Sequence, residues 1–224
     1  MTGGLILLLV ATVAIYLGLG QRLLDRMRLT DKQALFFLLA MVVGSFITIN
    51  LAPRGAVSLN IGGGAVPLIL AVYLLATADT PAERWRGVLA AAVTAGLLYG
   101  LVKLFTFEFG RTFLDSLYIF GVVAGLTAYL VGRSRRAAFA GGVLGVLALD
   151  LLHLMELRTR GLPGRVAIGG AGVFDSLVLA AFLAVLLAEL VGEARERLGG
   201  GPVKERIPAA QRREEEAEGG DHEH

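Results

Sequence analysis

The stretch AIGGAGVFDSLVLAAFLAVLLA, residues 167–188, decides the class of this protein. Behind its three glycines and single aspartate, Ser176 is followed by twelve consecutive apolar residues. Crossing the hydrocarbon of a bilayer as a helix takes about 20 predominantly apolar residues. The run extends to Gly192 with Glu189 as its only further charge. The whole chain agrees: of 224 residues, 55% are hydrophobic and 18% charged, where a soluble domain carries about a quarter charged residues.

The reading is therefore an all-α, polytopic transmembrane helix bundle. Seven apolar runs stand out, at roughly 3–19, 33–50, 61–78, 87–106, 114–132, 137–157 and 167–192. The third carries Gly62, Gly63, Gly64 and Pro67, so it either spans or turns back as a re-entrant segment. The first is no cleavable signal peptide, because Arg22, Arg26 and Arg28 follow its apolar run instead of preceding it. Residues 193–224, with EEEAE at 214–218, hold too little apolar surface to bury a core and read as a disordered, charged cytoplasmic tail. His222 and His224 belong to that solvated tail rather than to a metal site.

Composition also excludes several classes. The chain has no cysteine, which removes disulfides and thiolate metal or redox chemistry. A net charge of +2 without a basic aromatic surface argues against nucleic acid. No cofactor is expected; the expected partners are the lipid bilayer and a small solute, proton or cation. Lysine and arginine fall unevenly: fifteen lie on the side reached after the odd-numbered spans and six on the other. Because cytoplasmic loops carry the excess, the N-terminus is placed outside and the C-terminus in the cytoplasm.

The Gly-rich opening occurs twice. IGGGAVPLILAVYLLA at 61–76 aligns without gaps on IGGAGVFDSLVLAAFL at 168–183, and Arg54-Gly55 upstream has a counterpart in Arg160-Gly161. Each unit reads as a span, a short loop and a Gly-started span, which suggests a parallel repeat of two hairpins. Chance similarity in a Gly-rich chain is the alternative. Gly62 and Gly63 in one stretch, and Gly169, Gly170 and Gly172 in the other, let a second backbone come close. Asn60 stands where it can cap the helix behind it. The patch Gly141-Gly142-Gly145 serves either a homo-oligomer or packing inside one chain.

An ionisable group in hydrocarbon costs about 3 kcal/mol or more, and marks a site by default. Lys103 and Glu189 lie near span ends, where long side chains reach water. Asp115 opens span five as a cap. Asp150 and Asp175 lie deeper. They stand 12 residues before and 13 after Leu162, which in an antiparallel hairpin puts both about 10–15 Å below its outer end. His153 shares the face of Asp150, and Ser176 adjoins Asp175. With Asn50 and Asn60 from the first hairpin, these residues form an outward-facing polar constellation. Two carboxylates meeting in a low dielectric cannot both ionise cheaply. The pair then serves as a proton or cation relay, as an acid–base pair activating water, or only as hydrogen-bonding glue between helices.

The segments GSFITINL (44–51), SLNIGGGAVPLIL (58–70), LGVLALDLLHL (144–154) and 167–188 resemble a prokaryotic integral-membrane family known as domain of unknown function 1614. The resemblance covers most of residues 1–192, and GGAGVFD is its most specific element. It implies a multi-pass protein of a prokaryotic plasma membrane and highlights Asp150 and Asp175 without assigning a reaction. A weaker similarity is to intramembrane aspartyl proteases of the presenilin and signal-peptide-peptidase type, which carry one aspartate on each of two adjacent spans. Here Asp175 follows Gly172 by three residues instead of adjoining a glycine, and no span follows the seventh to supply their Pro-Ala-Leu motif.

Overall fold

A computed structural model describes residues 29–53, 56–104, 116–172 and 175–198. The expected span at 3–19, Asp115 and nearly all of the tail lie outside these residues. The described chain is mostly helical: α1 (Asp31–Gly44), α2 (Val66–Ala76), α3 (Pro81–Leu104), α4 (Ser116–Gly132), α5 (Arg135–Thr159) and α6 (Ser176–Leu198). Three short strands interrupt it: β1 (Thr48–Asn50), β2 (Val57–Asn60) and β3 (Val166–Ile168). The π-helical turn Ile61–Ala65 joins β2 to α2. The chain divides into two units, 1–189 and 190–224.

The strands correct the purely helical expectation. The second apolar run is helical only to Gly44 and then pairs as β1 against β2, with Thr48 opposite Asn60 and Asn50 opposite Ser58. The last run begins as β3 and a turn, and its helix starts only at Ser176. The cause is local. Ile47, Thr48 and Ile49, Val57, and Val166 and Ile168 are β-branched and suit a pleated surface better than a helix. Hydropathy alone does not separate a short apolar strand from a helical turn.

β3 joins β2 in parallel, Val57 beside Val166 and Leu59 beside Ile168. That register is two residues out of step with the gapless alignment of the two Gly-rich stretches. Their backbones also differ, since the first passes directly into a helix and the second makes a turn. The likeness in sequence thus does not carry through to equivalent backbone.

Among the described residues two helices, α3 and α5, are long and apolar enough to cross a membrane. α5 lies at the centre of unit 1, packed against α2, α3, α4 and β3. Small residues make this packing close. A Cβ on Gly141 would meet Ala90, one on Gly145 would meet Thr94, and one on Gly142 would lie 3.2 Å from the backbone of Ala180 in α6. The glycine patch at 141–145 is therefore used inside the chain.

Polar groups secure the end of the bundle where α5 begins. Ser134 caps α5, its Oγ accepting from the N–H of Ala137 (3.1 Å) and donating to Glu83 (2.7 Å). Arg135 pairs with Glu189. Loss of an N-cap typically costs about 1–2 kcal/mol, so Ser134→Ala is expected to lower the melting temperature of the detergent-solubilised protein. An unchanged melting curve would contradict the cap's contribution.

Candidate functional site

The two Gly-rich stretches meet. The π-helical turn is clamped between the end of α1 and the turn after β3. A Cβ on Gly62 would run into the carbonyl of Met41 and the N–H of Ser45. One on Gly63 would run into the carbonyls of Gly169 and Gly172. Gly169 and Gly172 themselves take left-handed φ values of 64° and 63°, a region that residues with a Cβ enter at a cost. Here backbone packs on backbone, with the small Ser45 side chain against both Gly62 and Gly172.

Asn60 locks one half of this clamp. It is 2% exposed, its Oδ1 accepts from the N–H of Gly63 (2.8 Å), and its Nδ2 donates to the carbonyl of Ser45 (2.9 Å) and Thr48 Oγ1 (3.1 Å). Asp175 locks the other. It is 8% exposed; Oδ1 accepts from the N–H of Leu177 (3.0 Å) and from Ser176 Oγ (3.4 Å), while Oδ2 accepts from the N–H of Ala171 (3.2 Å). One carboxylate thereby caps α6 and ties down the turn before it. Each Gly-rich stretch has its own capping side chain, an asparagine ahead of the first and an aspartate behind the second.

Asp150 lies on α5 and is partly buried. Among the described residues no hydrogen bond reaches the Asp150 carboxylate. His153 is exposed. Three residues further along α5, Glu156 pairs with Lys103 and, at 3.0 Å, with Arg160. Lys103 and Glu189, expected simply to reach water at span ends, are thus both held in ion pairs.

The structure therefore gathers Asn60, Gly62, Gly63, Gly169, Gly172, Asp175 and Ser176 at one junction, and Asp150 stands on α5, the helix that packs against β3. Asn50 and Gly170 are exposed, and His153 belongs with the Glu156 cluster nearer the end of α5. Ser45 was missed by the sequence reading: its Oγ donates to the carbonyl of Met41 (2.6 Å) and it touches both Gly62 and Gly172. A polar serine directly behind Gly44, inside an otherwise apolar run, is the signal that could have found it. No group of three or more metal-ligating side chains occurs among the described residues.

The model of one protein family, described as "Protein of unknown function (DUF1614)", matches residues 8–187. The chain belongs to that family. The match takes in the whole DUF1614 junction, from the end of α1 through Asp150 to the first turns of α6. Neither a curated protein nor a solved structure matches the chain.

Proposed function

We propose that this DUF1614 protein is a multi-pass membrane carrier, with the N-terminus outside and Asp150 as its proton- or cation-binding group. Support for the membrane comes first from an inverted distribution of side chains. Alanines such as Ala71, Ala90, Ala124, Ala140 and Ala180 fill the core, while large apolar residues face outward, Phe36 at 66% and Trp85 at 72% exposure. In water such a surface would aggregate. Lipid tails accept it, and close packing between small residues then holds the helices together.

Support for transport comes from the broken helices. α1 stops at Gly44, α2 starts behind Ile61–Ala65, and α6 starts at Ser176. These ends converge beside the uninterrupted α5. Non-helical backbone at membrane depth is kept only where protein buries it or where it lines a watery cavity. Discontinuous helices are a recurrent way of building ion and substrate sites.

The observation that carries the reading is the asymmetry of the two aspartates. Asp175 is occupied as a double cap, and Asp150, on α5, has no hydrogen bond from the described residues. That asymmetry also counts against aspartyl hydrolysis, which needs both carboxyls free to trade a proton across a water.

Purified protein in liposomes holding a pH-sensitive dye provides the test. Under an imposed sodium or potassium gradient, wild-type vesicles are expected to move protons about tenfold faster than Asp150→Asn vesicles, since an intramembrane charge in a relay has no ready substitute. Equal rates would sink the reading.

A further inference from the structure

We propose that the other end of the bundle holds a second site, for a phosphate oxyanion, built on Arg136. This residue lies in the first turn of α5 and is 1% exposed, the largest fully buried side chain among the described residues. Its Nη1 donates to the carbonyl of Thr77 (2.8 Å) and lies 3.8 Å from Asp79. Its Nε and Nη2 are buried with no partner.

Those two nitrogens form one straight edge of the guanidinium. Their parallel N–H groups match two oxygens of a single carboxylate or phosphate. Arginine does not escape burial by losing its proton, so this edge calls for an acceptor. The neighbouring carboxylates do not supply it. Glu83 is taken by Ser134 and the N–H of Asp79, Glu189 is taken by Arg135, and Asp79 lies on the Nη1 side. The first turn of α5, a helix of 25 residues, adds its positive dipole end.

The surroundings select phosphate. Arg84, Arg86 and Arg133 are exposed at this end of the bundle, with the exposed Trp85 between the first two. Arginines beside a tryptophan mark the level of lipid headgroups. Free phosphate and a phospholipid headgroup offer the same oxygens. Only the lipid source rests on the membrane placement proposed above, and neither depends on Asp150. For a phosphate to reach this edge, the short connection between α2 and α3, whose Thr77 carbonyl accepts from the guanidinium and whose Asp79 reaches solvent, would have to move aside.

Trp85 is the only tryptophan in the chain. It lies two residues from Gly87, where a Cβ would meet Ala137, the neighbour of Arg136, at 3.5 Å. Its emission is therefore the readout, taken on the full chain in maltoside detergent and chloride buffer. One arm titrates inorganic phosphate, the second short-chain phosphatidylglycerol, with a diacylglycerol of equal chain length as control. A saturable change is expected in at least one phosphate arm, weakened about tenfold or more by Arg136→Gln and less by Arg136→Lys, which keeps the charge but loses the paired donors. A response to the lipid alone assigns the headgroup; a response to both assigns the phosphate group itself. No saturable response in either arm, or an equal one in Arg136→Gln, overturns the site. If Arg136→Gln does not fold, Asp79→Asn decides, because removing the nearest carboxylate should tighten binding several-fold, and unchanged or weaker binding overturns the proposal.

Discussion

Gly62→Ala is expected to abolish recovery of folded protein. The added methyl would run into the carbonyl of Met41 and the N–H of Ser45, and would lie 2.6 Å from Ser45 Oγ. Those atoms already bond one another at the end of α1, with Ser45 N–H to Met41 at 3.0 Å and Ser45 Oγ to Met41 at 2.6 Å. No rotamer change makes room, so the last turn of α1 must shift. Gly63, behind it, is held against the carbonyls of Gly169 and Gly172. Overpacking costs about 1–3 kcal/mol where side chains can yield. Backbone on both sides pushes this case to the top of that range or past it, a large share of a typical total stability of about 5–15 kcal/mol. Gly96→Ala and Gly100→Ala are the controls. Both glycines sit inside α3 with nothing within 4 Å of a new Cβ, so each substitution should raise stability by about 0.5–1 kcal/mol. Gel filtration and thermal melting in detergent separate these outcomes. A Gly62→Ala protein that melts with the wild type would show that the clamp does not hold the fold.

Much of this junction was legible before the structure. The glycines at 62–63 and 169–172 announced a close approach of backbones, and Asn60 stood where a cap was needed. The equal depth expected for Asp150 and Asp175 assumed two helices meeting at Leu162, whereas β3 and a turn come first and Asp175 stands at the start of α6. Other features were hidden for physical reasons. Hydropathy reads ITIN and VAI as more helix, because β-branched residues are as apolar in a strand as in a span. The partner of Arg136 is a backbone carbonyl 59 residues away, which no local pattern encodes. The sequence likewise marked Asp175 as an expensive residue without revealing that three donors converge on it. A buried carboxylate that is fully engaged and one that is free look alike in a string of letters.

Asp175→Ala and Asp175→Asn separate the two roles open to this carboxylate. Alanine leaves the N–H groups of Ala171 and Leu177 without an acceptor at a site that is 8% exposed. A lost cap of about 1–2 kcal/mol and an unsatisfied buried donor of about 1–3 kcal/mol then act together. The protein is expected to melt well below the wild type, with little of it recovered folded. Asparagine keeps one acceptor oxygen, enough for one of the two N–H groups, so it should fold with only part of that loss. Its flux in liposomes, measured per folded molecule, should stay near the wild-type rate, because Asp175 is occupied as a cap and the proposed binding group is Asp150. That result would leave Asp150 as a lone carrier and reduce Asp175 to a helix cap. A tenfold fall would put Asp175 in the relay as well, since an intramembrane charge there has no ready substitute.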